Sequence, residues 1–195
     1  SRGLGDVYKR QVAAHSFKVT KIAQYLATVE EYYGNEINWK SLYEKALNHD
    51  FAEVFTGDIK TPVKYASREL KKLFSQVEEE MVDTFIKEEI PEQYQKVYRE
   101  RLQEGKDDSL EGQILSVADK IDLLYETFGE IQKRNPEPLF FEIYEMSLET
   151  IIQFDHLNSV KDFIDNVIPE MLTENFIPRT ELRETTMTIL NRRNG

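Results

Sequence analysis

The sequence predicts an all-α chain, a single bundle of about seven or eight helices. Apolar residues recur every three or four positions almost from end to end, the period of a helix with one buried face. The breaks between these stretches are short and carry Gly, Asn or Pro, as at Gly34-Asn35 and Asn135-Pro136. No pair of alternating segments reads as a strand hairpin. A length of 195 residues is enough for one well-buried domain.

Residues 1–11 lie ahead of the first periodic stretch. They resemble translated adapter read-through and are read as a non-native or disordered segment, set apart from a domain over 12–195. Val19, Ile22, Ala23, Leu26 and Val29 then form the stripe of the first helix, which Gly34-Asn35 ends. Asn38 is placed to cap a second helix from Trp39 to about Phe55. Pro62 opens a long helix whose stripe includes Leu70, Leu73, Phe74, Val77, Met81 and Phe85, with Glu78-Glu79-Glu80 on a solvated face. Another helix runs from Pro91 to about Gln103.

The segment from Ser109 to about Arg134 carries Ile114, Val117, Ala118, Ile121, Leu124, Tyr125 and Phe128, which makes it central. The next runs from Glu137 to about Phe154, with Phe140, Phe141 and Tyr144 as core or dimer contacts. Ser159 to about Leu172 follows, with Pro169 expected to kink or end it. Thr180 to about Asn191 completes the chain.

The formal net charge of −11 argues against a surface that coats nucleic acid, because it repels the phosphate backbone. A mononucleotide is still compatible, since one phosphate needs only a few local donors. The absence of Cys fits a reducing compartment, and no apolar run approaches a membrane span. The chain is therefore expected in the cytoplasm.

Against this apolar background a few polar residues stand out. Ala46-Leu47-Asn48-His49-Asp50-Phe51-Ala52-Glu53 places an imidazole and two carboxylates on or beside a core face. Such groups are costly to bury unless their charge is offset, and a divalent metal is a common offset where His and Asp occur together. His15 lies on the first helix. Asp119 sits mid-helix among apolar neighbours, where Asp is a poor residue. Together they give the order H…HD…D: His15, His49-Asp50, Asp119. Two neutral imidazoles and two carboxylates suit one divalent transition metal such as Mn, Fe, Co, Ni or Zn. The competing reading is a hydrogen-bonded core His15 and a solvated Asp119. The third histidine, His156, reads as an ordinary loop residue.

The run from His49-Asp50 through Glu53, Thr56-Gly57-Asp58 and Thr61-Pro62-Val63-Lys64-Tyr65 resembles the signature of the YfbR-like 5′-deoxynucleotidases, a branch of the HD-domain metal-dependent phosphohydrolases. The resemblance extends from Val12 to about Ile131. The continuation Gly-Asp-x-x-Thr-Pro-Val-Lys-Tyr is more specific to this branch than the HD pair alone. The resemblance implies that His15, His49, Asp50 and Asp119 are metal ligands and that Glu53 handles a proton near the metal. It implies that Asp58 contacts the sugar and its 3′-hydroxyl, and that Glu104 faces the substrate pocket. Lys64 and Arg68, one helical turn apart, are candidate cations for the phosphate, with ordinary surface cations as the alternative. Two features depart from the family. Ala14 stands where many members have Glu, and the family's N-terminal Arg followed by Trp is not visible.

The expected activity is metal-dependent removal of the 5′-phosphate from (deoxy)ribonucleoside monophosphates, and the resemblance implies a homodimer. The alternatives are an HD phosphohydrolase acting on a cyclic or alarmone nucleotide, and a catalytically silent nucleotide-binding HD module.

Overall fold

In chain order the helices are α1 (Arg2–Tyr32), α2 (Trp39–Asn48), α3 (Glu53–Thr56), α4 (Arg68–Glu89), α5 (Glu92–Leu102), α6 (Leu110–Gln132), α7 (Leu139–Ile152), α8 (Asn158–Asp162), α9 (Ile168–Thr173) and α10 (Thr180–Arg192). The structure is a computed structural model. It describes residues 2–56, 67–102, 105–133, 138–173 and 180–192, with side chains from residue 12 onward other than those of 68, 71, 180 and 181. No strand occurs among the described residues. Helical backbone begins at Arg2, so residues 2–11 continue into the helix that carries His15.

The central position expected for α6 is observed. It packs against α1, α2 and α7. Ile114, Leu115, Ile121 and Leu124 on it are at most 1% exposed, and burying each such side chain stabilises by about 1.5–3 kcal/mol. Val19, Ala23 and Leu26 of α1, Leu42 and Ala46 of α2, and Tyr144 and Leu148 of α7 close the same core. The phenol of Tyr144 is hydrogen-bonded to the Thr186 hydroxyl of α10 at 2.8 Å, so Tyr144 is a core residue. Phe140 and Phe141 pack beside it, partly buried.

Caps set the register of the elements that carry the site. Asn38 accepts the Ser41 N–H at 3.0 Å, as its position before Trp39 predicted. Ser109 accepts the Gly112 N–H at 3.1 Å and starts α6. Gly34, at φ +91°, takes the left-handed conformation that lets the chain leave α1. Buried Glu30 ties this end of α1 to α8. It accepts the Ser159 N–H at 2.7 Å, the Asn35 amide at 2.7 Å and the Asn158 amide at 3.2 Å.

Four expectations need correction. The long helix expected to open at Pro62 starts at Arg68, after an extended Ser67 whose hydroxyl accepts the Leu70 N–H at 3.0 Å. The helix expected from Trp39 to Phe55 ends at Asn48, with His49 as its C-cap. The Asn48 amide donates to the Glu44 carbonyl at 2.8 Å, and the His49 ring bonds the Ala46 carbonyl at 2.8 Å, so side chains take the last-turn acceptors. The chain then tightens into i→i−3 bonds, as from Glu53 N–H to the Asp50 carbonyl at 3.0 Å, before α3 begins. Pro169 does not end its helix. A π-turn over Phe163–Val167, with the Ile168 N–H bonded to the Phe163 carbonyl, precedes it, and α9 runs through the proline. On α4, Leu73 and Met81 are exposed, so the expected stripe is only partly covered within this chain.

Candidate metal centre

Three elements bring four side chains together, His15, His49 and Asp50 as a mutual cluster and Asp119 beside it, in contact with the imidazoles. His15 comes from the middle of α1, His49 and Asp50 from the end of α2, and Asp119 from the middle of α6. His15 Nε2 lies 3.2 Å from Asp50 Oδ2 and 3.3 Å from Asp119 Oδ1. His49 Nε2 lies 3.2 Å from Asp50 Oδ2, 3.3 Å from His15 Nε2 and 3.9 Å from Asp119 Oδ1. Bonds of roughly 2.0–2.3 Å to a divalent ion set neighbouring ligand atoms about 2.8–3.8 Å apart. Four of the five separations fall in that window. The tightest mutual group is His15, His49 and Asp50, whose donor atoms all lie within 4.8 Å of one another. Asp119 approaches it from α6 through both imidazoles.

The early end of α2 matters to this geometry. Adjacent residues of a continuous α-helix point about 100° apart. Leaving the helix at His49 lets both His49 and Asp50 turn to the same point.

The far sides of the two rings are held as a metal site requires. His15 Nδ1 donates to Asp122 Oδ2 at 2.8 Å, and His49 Nδ1 donates to the Ala46 carbonyl at 2.8 Å. With Nδ1 used as a donor, each neutral ring presents an Nε2 lone pair inward. Asp122 is itself buried and accepts a bond from Lys18 at 3.3 Å, and Lys18 also reaches Glu126 at 2.6 Å. Sequence reasoning missed Asp122. The signal was present, because it follows Asp119 by three residues and so shares its helix face.

Electrostatics agree with the geometry. Burial pulls the His15 imidazole down, but its bonds to Asp119, Asp122 and Asp50 outweigh that and push it up to about 11. Burial raises Asp50 and Asp119, yet both carboxyls are held well below the usual range. His15 and His49 do this for Asp50, and His15, Lys106 and Lys120 for Asp119. The donors are thus carboxylates at neutral pH and seek a cation. Without a metal, a proton on His15 supplies it.

Glu53 opens α3, three residues after Asp50, and is partly exposed. The expected substrate contacts Asp58, Glu104 and Lys64 lie outside the described residues, as does the Arg68 side chain. His156 is exposed, and its Nε2 meets the Gln113 side chain at 2.7 Å, in keeping with a loop residue. A polar cleft of about 380 Å³ is lined by Lys40, Glu44, Lys45, Arg101 and Gly105, and none of the four donors lines it.

Comparison with known proteins agrees with this arrangement. The family model for 5′-deoxynucleotidase YfbR-like proteins matches residues 5–171. The 5′-deoxynucleotidase PM0747 of Pasteurella multocida is 26% identical over 165 residues, covering 84% of this chain and 83% of that protein. The 5′-deoxynucleotidase VV1113 of Vibrio vulnificus is 30% identical over 133 residues, 68% of each chain. Among solved structures, an HD-domain phosphohydrolase (lin2634) from Listeria innocua superposes with a TM-score of 0.87 at 56% identity, covering 93% of this chain and 86% of that one. The cluster of His15, His49 and Asp50 with Asp119 beside it is in keeping with these relatives, and the family match over residues 5–171 shows that the chain belongs to the YfbR-like 5′-deoxynucleotidase family of HD-domain phosphohydrolases.

Proposed function

We propose that this chain is a metal-dependent 5′-deoxynucleotidase, hydrolysing deoxyribonucleoside 5′-monophosphates to the nucleoside and inorganic phosphate. The observation that carries the reading is the convergence of His15, His49, Asp50 and Asp119, with both outer ring nitrogens already engaged as donors. That donor set fits a single divalent transition ion among Mn, Fe, Co, Ni and Zn. Such an ion, when bound, polarises a phosphoryl oxygen and activates water.

The protein's part is positioning and proton handling. Asp122 and the Ala46 carbonyl hold the two imidazoles in the orientation and tautomer that binding needs. In the hydrolysis a water oxygen bonds to phosphorus as the bond from phosphorus to the 5′-oxygen breaks. Glu53 takes the role of moving a proton from that water towards the leaving 5′-oxygen. Asp58, Glu104 and Lys64 remain the expected contacts to sugar, pocket and phosphate. The reading extends to a homodimer working in the cytoplasm, in keeping with exposed Leu73 and Met81 on α4 and Tyr94 on α5.

A panel of nucleotides assayed with the metal-replete protein tests the substrate class. Phosphate release from deoxyribonucleoside 5′-monophosphates, exceeding that from ribonucleoside 5′-monophosphates and from 3′-monophosphates, is the expected result. Preferential turnover of a cyclic or alarmone nucleotide moves the chain to another HD phosphohydrolase activity. Metal-dependent nucleotide binding without turnover moves it to a silent module.

A further inference from the structure

Resting on the reading above, we infer that Lys106 is a phosphate-binding residue of this site, holding the phosphoryl oxygens of the substrate beside the metal. Its Nζ donates to Asp119 Oδ2 at 2.9 Å, while the other oxygen of the same carboxylate, Oδ1, faces His15. Asp119 thus joins the point ringed by the donors to the ammonium. One carboxylate width and one hydrogen bond put that ammonium roughly 4–6 Å from where an ion would sit. A phosphoryl group bound to the ion covers such a distance.

Charge supports the same role. Asp50, Asp119 and Asp122 are the carboxylates in contact with the two imidazoles, and Lys18, Lys106 and Lys120 are the ammoniums in contact with these carboxylates or acting on them. Glu126 also pairs with Lys18, so four negative charges meet three positive ones. A bound dication would leave one positive charge for a phosphate monoester, and without Lys106 that sum would be zero. Lys18 is directed to the outer side of His15, through Asp122 and Glu126. Lys106 is on the Asp119 side and its charge also acts on Asp50, so it serves the inner face of the cluster.

The loop that carries Lys106 is held on both sides. Lys45 of α2 donates to the Gly105 carbonyl at 3.3 Å and pairs with Asp107. Asp107 in turn accepts the Ser109 N–H at 3.1 Å, at the cap of α6. Gly105 lies so close to α2 that a Cβ on it would stand 2.6 Å from Lys45 Cβ, which a side chain cannot evade by rotating. Lys106 therefore leaves a fixed backbone, the condition under which a long cationic side chain orders at low entropic cost.

The test is binding of inorganic phosphate to metal-loaded wild type, Lys106→Met and Lys106→Arg, by calorimetry, with metal affinity measured separately by chelator competition. Lys106→Met is expected to weaken phosphate binding about 10-fold or more while metal affinity stays within about threefold, with Lys106→Arg recovering most of the loss. Unchanged phosphate affinity in Lys106→Met overturns the inference. So does a loss that disappears at saturating metal, because Lys106 would then act only by supporting Asp119. Wild-type protein that binds phosphate equally with and without metal overturns the parent reading of the site, and the inference with it.

Discussion

Asp122 does for His15 what a main-chain carbonyl does for His49, and the two arrangements differ in how they can be perturbed. A carbonyl cannot be mutated, but Asp122→Asn keeps the volume and one acceptor while removing the charge that steadies the ring. Metal affinity is expected to fall about 10–100-fold, as read by chelator competition. Unaltered affinity would remove Asp122 from the site. Glu53 makes the opposite prediction. It is not needed to complete the four-donor set, so Glu53→Ala should retain metal and nucleotide while turnover drops on the order of 10²–10⁴; near-wild-type turnover assigns Glu53 to structure. The four candidate donors stood out in the sequence partly for a physical reason and partly through the family resemblance. A buried carboxylate or imidazole on an apolar helix face needs a partner, and Asp119 among Val117, Ala118 and Ile121 advertises that need. Asp122 follows Lys120 and so reads locally as part of a charged surface. Lys106 sits in the polar loop Gly105-Lys106-Asp107-Asp108-Ser109, which has no period to set a direction for its side chain. Only the fold turns it to Asp119.

Among the elements, α6 depends on its cap as well as its core. Ser109 closes the first turn and also donates its N–H to Asp107, so one residue links the Lys106 loop to the helix that presents Asp119. Ser109→Ala is expected to cost about 0.5–2 kcal/mol, lowering the melting temperature by a few degrees in a domain of this size. The expected shift is read by thermal denaturation of the metal-free protein, and an unchanged midpoint contradicts the capping role. The positions of α5, α6, α7 and α10, and the end of α1, followed from apolar period and caps to within a few residues, whereas α1 begins about ten residues earlier than the periodic stripe. The end of α2 did not. Period alone carries that helix on to Phe55, whereas bonds from the Asn48 and His49 side chains to main-chain carbonyls stop it at Asn48. Of the two outcomes expected at Pro169, an end to the helix is not observed. The π-turn ahead of it widens the backbone, so the proline is accommodated without ending the helix.

The whole molecule is tied together through its site. His15, His49 and Asp119 are far apart in sequence and sit on three different elements, so an ion held as proposed would bridge α1, α2 and α6 and favour the folded chain. Chelation is therefore expected to lower the melting temperature, and metal at about 100 times its dissociation constant to restore about 2.7 kcal/mol. The metal-free protein has its own pH signature. His15 is raised in the folded state, so its contribution is full below the unfolded value of about 6.5 and is lost as pH rises through about 11. A His15→Gln variant should lack that alkaline loss.

The central claim is that one divalent ion, held by His15, His49, Asp50 and Asp119, is required for hydrolysis of a deoxyribonucleoside 5′-monophosphate. The most direct measurement titrates metal into chelated protein and follows bound metal and phosphate release together, for wild type and for Asp119→Ala. Release is expected to rise in step with metal to a plateau at about one ion per chain, and Asp119→Ala is expected neither to retain the ion nor to release phosphate. Full activity in the chelated protein, or metal-dependent activity unaffected by Asp119→Ala, would contradict that claim.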